Sequence, residues 1–155
     1  AKDFPTLYFV LKPKSETTFA SPIYKAREQQ IHSLDNFEVI RDLKRYNPYT
    51  IASMADIIIG KHTPIMEEAL SVGTTVIFYD SEQYLQSTDY VLNQIDVIED
   101  QYDGLKNRIS RIIEKNDYLS HQEWKTFAEN YFLNNSPEDG FSLIKKHLTH
   151  IWENC

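Results

Sequence analysis

Short apolar, β-branched runs alternate along most of this chain with stretches in which apolar residues recur every three or four positions. The clearest run is Asp56-Ile57-Ile58-Ile59-Gly60, too short for a helix and closed by glycine, which predicts a fully buried parallel strand. Lys61-His62-Thr63 then forms a turn. Thr63 suits the helix N-cap and Pro64 the first helical position, where a missing N–H costs nothing. Ile65, Met66, Ala69, Leu70 and Val72 fall on one side of the predicted helix, and Gly73 supplies a left-handed stop. Thr75-Val76-Ile77-Phe78-Tyr79 predicts a second buried strand, so residues 56 to 80 read as strand, turn, helix and strand.

The same pattern extends to either side. Leu7 to Leu11 predicts the first strand, closed by Lys12-Pro13, and residues 12 to 18 form a polar loop with two lysines and three hydroxyls. Ser21-Pro22 opens a helix through about Ser33, and Phe37 to Ile40 is a second short strand. Asn47 caps and Pro48 starts a helix through Ala55, with Ile51 and Met54 or Ala55 facing inward. After Tyr79, residues 80 to 84 make another polar loop, and Gln94 to Ile98 is a fifth strand interrupted by Asp96. From Tyr102, Leu105, Ile109, Ile112 and Ile113 line one helical face, with Lys106, Arg108 and Lys115 outside.

Ser120 to Glu123 is a capping box for a helix bearing Trp124, Phe127, Ala128, Tyr131 and Phe132. Ser136-Pro137-Glu138-Asp139 starts a last helix with Leu143, Ile144, His147, Leu148 and Ile151 as its stripe. Alternating strands and helices followed by helices alone predict an α/β fold: one doubly wound, Rossmann-like parallel sheet over residues 1 to 155 with a helical C-terminal extension.

In such a fold the turn after a strand leaves backbone N–H groups unpaired at a helix N-terminus, where the dipole favours an anion. Ligands lie outside the carboxyl ends of the strands. The loops at Lys12, His62 and Asp80 are all expected on that rim.

Composition narrows the class. At 155 residues, 41% hydrophobic and 25% charged, the chain suits one globular domain, with no apolar run near the ~20 residues of a membrane span. A net charge of −7 argues against nucleic acid or an anionic membrane as partner, since both need a dense basic face. The single Cys155 excludes an internal disulfide and points to a reducing, cytoplasmic setting. The chain starts at Ala1 without an initiator methionine and enters a strand almost at once, so a fragment of a longer protein is expected.

Several chemistries lack their motif. Four glycines are too few for the spaced GxGxxG or Walker loops, GxSxG is missing with Ser71 inside a helix, and the five histidines show no metal-ligand pattern beyond His147 and His150 three apart. No cofactor or metal is expected. Glu67-Glu68 would repel phosphate unless aimed past it. The pair suits hydroxyls of a sugar or ribose, or else ordinary first-turn acids favoured by the helix dipole.

The stretch from Thr63 to Asp80, TPIMEEALSVGTTVIFYD, resembles the donor-binding segment of glycosyltransferases of the GT-B fold, written as small residues followed by E-A-L-x-x-G-x-P-V. The strand from Asp56 to Ile59 and the loop Asp80-Ser81-Glu82 match the elements that flank that segment. Phe9 to Lys14 resembles the K-P-H-P loop of bacterial capsule transferases that use CMP-activated acidic sugars, with Lys14 in place of histidine. Ser136 to Gly140 is similar to the D-G element of CDP-glycerol and related cell-surface polymer transferases. Thr74-Thr75 departs from the basic residue and proline of many members. The spaced glutamate pair of many retaining members is also missing, since Thr75 and Val76 lie eight residues beyond Glu67 and Glu68, which argues against that retaining mechanism.

The resemblance implies a donor site for a CMP-, CDP- or UDP-activated sugar made by Lys12, Lys14, Ser15, His62, Thr63, Pro64, Ile65, Glu67, Glu68, Asp80, Ser81 and Glu82. His62 is the candidate for a catalytic role, as leaving-group acid or phosphate donor. The acceptor base is expected on an N-terminal acceptor-binding half, so these residues alone would bind and not catalyse. The implied setting is the cytoplasm, at the inner face of the membrane where surface polymers are assembled. Nonhydrolysing UDP-N-acetylhexosamine 2-epimerases share the fold and a similar G-G-x-x-E-E-A segment, with Thr63-Pro64 here replacing the glycines. A noncatalytic nucleotide- or sugar-binding scaffold is the reading of another class.

Overall fold

The computed structural model describes residues 1–85, 91–115, 123, 126, 127 and 129. The chain is mixed α/β, with parallel strand pairs in two small sheets, and separates into two compact units, Ala1–Ile58 and Ile59–Cys155.

In the first unit, β1 (Phe9–Leu11) and β2 (Phe37–Val39) pair in parallel with Phe9 opposite Phe37 and Leu11 opposite Val39. Alternation puts these four apolar side chains on one face, where the Phe9 and Phe37 rings stack at 6.4 Å. Asn36 closes the amino end of the pair, donating its amide hydrogens to the carbonyls of Ala1, Phe4 and Leu7. The predicted loop after β1 is shorter than its sequence suggests, because the Ser15 and Glu16 carbonyls accept from Thr18 and Phe19 N–H and start α1 (Thr17–Ala20).

Helix α2 (Pro22–His32) begins where predicted, its Ser21 hydroxyl accepting from Tyr24 N–H at 3.2 Å. Helix α3 (Pro48–Met54) is capped by Asn47 through Tyr49 N–H at 2.9 Å. Tyr24 and Ile40 are buried here, and of the two residues offered as inward at the end of α3, Met54 is exposed and Ala55 half-buried.

The second unit carries the larger described core. The second sheet runs β3 (Ile57–Gly60), whose first two residues belong to the first unit, then β4 (Thr75–Tyr79) and β5 (Ile98–Glu99), so β4 is central. Val76, Ile77 and Phe78 are buried in succession, as a strand covered on both faces requires. β3, expected to be as buried, is only half so and leaves Ile59 exposed, because it lies at the sheet edge.

Helix α4 (Pro64–Ser71) buries Met66, Ala69 and Leu70. Gly73 ends the element at φ 85°, the left-handed conformation its position predicted. Val72 is exposed, since it is the C-cap and has left the helical path. At Gly60 a side chain would bring a Cβ within 2.9 Å of Met66 Sδ, so glycine lets the helix pack against the strand end.

Two expectations fail around β5. The predicted strand at residues 94 to 98 is a 3₁₀ turn at Val91–Gln94, followed by a strand of only Ile98–Glu99. The cause is Arg108 on α5 (Tyr102–Lys115), which was expected outside but is buried beside Leu105, Ile109 and Ile112. Arg108 Nε donates to Glu99 Oε1 at 2.6 Å, Nη1 to the Asp96 carbonyl at 2.7 Å, and Nη2 to the Asp96 carboxylate. Burial opposes the guanidinium charge, but the Glu99 and Asp96 contacts outweigh it and raise the Arg108 pKa above its ordinary value. Ile113, also expected inside, is exposed.

The capping box at Ser120 and the residues Trp124, Ala128, Tyr131 and Phe132 lie outside the described residues, as does the last predicted helix with His147 and His150. Glu123 is helical and Phe127 is buried, as read from the pattern. No helix among the described residues is long and apolar enough to cross a membrane.

Removing Arg108 leaves the mostly buried Glu99 without its cation, so Arg108→Leu should lower unfolding free energy by about 2–4 kcal/mol in urea titration. The double variant Arg108→Leu, Glu99→Leu should recover part of that loss, because the two residues share one interaction.

Candidate functional site

In the second unit, the loops leaving β3 and β4 meet at one edge. Lys61 Nζ, just past β3, pairs with Glu82 Oε1, past β4, at 2.5 Å. Gln83 Nε2 donates to Asp100 Oδ2, past β5, at 2.9 Å, so the third strand end joins the same rim.

His62 and Glu67 also pair there, with His62 Nε2 2.8 Å from Glu67 Oε1 across the start of α4 and both side chains about one-third exposed. The His62 ring lies 6.2 Å from that of Phe78, a member of the core. A neutral histidine donating to this carboxylate would orient it, and a protonated one would form an ion pair with it.

The helix start is more closed than its sequence suggests. Thr63 adopts the extended N-cap conformation, but its side chain makes no cap hydrogen bond. Its carbonyl instead accepts from Met66 and Glu67 N–H at 3.0 and 3.4 Å. Pro64 has no N–H, so Ile65 supplies the first-turn amide without an acceptor among the described residues. An anion could therefore engage fewer backbone donors than a bare helix N-terminus offers. Glu68 is exposed, and its carbonyl accepts from Ser71 Oγ at 2.7 Å, which uses that hydroxyl within the helix.

Asp80 belongs to the loop's interior. It is buried, its Oδ2 accepts from Leu85 N–H at 2.6 Å, and its backbone N–H donates to the Glu99 carbonyl at 2.8 Å. Its own carbonyl accepts from Gln83 N–H, and Gln83 takes a left-handed φ of 55° to complete the turn. Asp80 thus shapes the loop that presents Ser81 and Glu82, both exposed.

The twelve residues predicted for one donor site fall in both units. Lys12, Lys14 and Ser15 lie in the first, with Lys12 half-buried, Lys14 and Ser15 exposed, and Ser15 Oγ 2.6 Å from Thr17 Oγ1. His62, Thr63, Pro64, Ile65, Glu67, Glu68, Asp80, Ser81 and Glu82 lie in the second. Lys61, Gln83 and Asp100 were not singled out from sequence. Their only signal was position just past a strand. The rim around them carries Lys61 and His62 against Glu67, Glu82 and Asp100, a balance suited to hydroxyl groups more than to a highly charged anion. Among the described residues no group of three His, Cys, Asp or Glu is placed to hold a metal ion.

Comparison with protein-family models, curated proteins and solved structures finds no match to this chain.

The two carboxylates of the β4 loop should respond differently to removal. Asp80→Ala removes the buried hydrogen bond to Leu85 N–H and should cost about 1–3 kcal/mol by denaturant titration. Glu82→Ala removes only an exposed ion pair and should cost less than about 1 kcal/mol.

Proposed function

We propose that this chain is the donor-binding half of a bacterial surface-polysaccharide glycosyltransferase, its two sheets belonging to one doubly wound, Rossmann-like arrangement. The observation that carries this reading is the His62–Glu67 pair at the start of α4, beside the end of β3. A carboxylate braced by an imidazole at a strand's carboxyl end is suited to accept hydrogen bonds from hydroxyls of a sugar or ribose. The likeness of Thr63 to Asp80 to the GT-B donor segment supports the same assignment.

Within the first unit, Lys12 and Lys14 are cations suited to the phosphate of a nucleotide-activated sugar, and within the second, Glu67 is suited to a hydroxyl. Transfer requires that charge developing on the leaving phosphate be stabilised, which fixed cations and an oriented amide can supply. His62 can donate a proton to that phosphate when protonated. The base that activates the acceptor hydroxyl belongs, on this reading, to an acceptor-binding half outside these residues. The reaction would take place in the cytoplasm at the inner face of the membrane.

Calorimetric titration with CMP, CDP and UDP tests the proposal. Binding of one nucleotide in the micromolar range is expected, weakened about tenfold or more by Lys12→Ala or Lys14→Ala through loss of a charged hydrogen bond. Absence of binding to all three, with the acceptor half joined to the chain, would rule out the transferase. Interconversion of a UDP-N-acetylhexosamine without any acceptor would assign the chain to the 2-epimerases instead.

A further inference from the structure

We propose that the carboxyl end of the β1–β2 pair is a diphosphate-binding edge, with Arg41 as the residue that grips the phosphates. Arg41 lies two residues past the end of β2, and Lys12 follows β1 directly. The strands are parallel with Leu11 opposite Val39, and Ile40 N–H donates to the Leu11 carbonyl at 3.0 Å, so both segments leave the same edge side by side.

The segments 12–16 and 41–46 hold five cations, Lys12, Lys14, Arg41, Lys44 and Arg45, against two carboxylates, Glu16 and Asp42. That excess is local, since the whole chain carries −7. Asp42 is engaged, its Oδ1 accepting from Lys44 and Arg45 N–H at 3.2 and 3.0 Å. Lys12 and Lys14 make no ion pair among the described residues, and the hydroxyls of Ser15 and Thr17 stand beside them.

Arg41 is held in place before any ligand arrives. Its guanidinium lies 5.2 Å over the Phe19 ring, and Phe19 in turn meets buried Tyr24 edge-on at 5.3 Å. Nη2 donates to Glu28 Oε1 at 2.7 Å and to Tyr24 Oη at 3.3 Å, and lies 3.1 Å from His32 Nε2. All three contacts use Nη2, which leaves Nη1 and Nε without a protein partner among the described residues while the side chain remains about half exposed. Glu28, His32 and Tyr24 from α2 are the titratable groups that face it, and the hydrogen bond from Arg41 holds the Glu28 carboxyl below its ordinary pKa.

A planar guanidinium held by one nitrogen, with two further N–H donors free, fits paired oxygens of a phosphate. Two lysines without an ion pair among the described residues, on the segment that leaves the neighbouring strand, suit a ligand with at least two negative charges. A diphosphate matches, and a lone carboxylate would leave most of the donors unused.

The inference rests on the donor reading for what carries the diphosphate, and it narrows that reading from CMP-activated to CDP- or UDP-activated donors. The test is calorimetric titration of the chain with CDP, UDP, CMP and inorganic pyrophosphate, on wild type, Arg41→Gln and Arg41→Lys, each checked by thermal melting. Losing charged hydrogen bonds should weaken CDP or UDP and pyrophosphate about ten- to a hundredfold in Arg41→Gln. Arg41→Lys should recover little, since an ammonium cannot fork. It keeps the charge facing Glu28, so it decides the matter if Arg41→Gln fails to fold. CMP should bind more weakly than CDP, and equal binding would overturn the diphosphate match.

Undiminished nucleotide binding in folded Arg41 variants, with loss in Lys12→Ala, would overturn this inference and leave the donor reading standing. Pyrophosphate binding lost in Arg41→Gln, without binding of any nucleotide, would support the phosphate edge and sink the donor reading. Binding of none of the four ligands to wild type overturns both.

Discussion

Arg108 organises the second unit's rim from beneath. Its guanidinium reaches both Asp96 and Glu99, which fixes the short β5 against α5, and the Glu99 carbonyl then receives the Asp80 N–H. Asp80 in turn holds Leu85 N–H and sets the turn that displays Ser81 and Glu82. A cation taken out of water is costly, and three hydrogen bonds to two acidic residues are what offset it. The geometry of the exposed loop therefore depends on a residue that no ligand would touch. Gly104 belongs to the same arrangement, because a Cβ there would collide with the Glu99 carboxylate.

The two candidate edges differ in chemistry. Past β1 and β2 the chain gathers ammonium and guanidinium groups, several of them unpaired, around serine and threonine hydroxyls. Past β3, β4 and β5 it gathers carboxylates already braced by Lys61, His62 and Gln83.

What was legible in the sequence was whatever a single element decides. Proline after a capping residue marked the starts of α2, α3 and α4, and Gly73 marked a stop, because these signals act within a few bonds. The consecutive apolar residues of β4 announced a strand covered on both faces. Arg108 was misplaced for a reason common to charged residues. A charged side chain reads as solvent-facing until its partner is known, and the partners lie on other elements. Asp96 likewise looked like an interruption of a strand, when it is an acceptor for α5. The division of the twelve residues predicted for one site, three in the first compact unit and nine in the second, had no local signal in the sequence.

The central position of β4 bears on how this protein opens. Val76, Ile77 and Phe78 sit under α4 and between two strands, so their amides can reach water only when most of the second unit comes apart. The strands of the first unit and the outer strand β3 are half-exposed, and their amides can exchange through local fluctuations. Hydrogen exchange would therefore grade the chain from a slow centre at β4 to fast strand ends, and the residues proposed to meet a ligand would lie at the fast end. A ligand that closed on those loops would register first as slowed exchange there, with β4 unchanged.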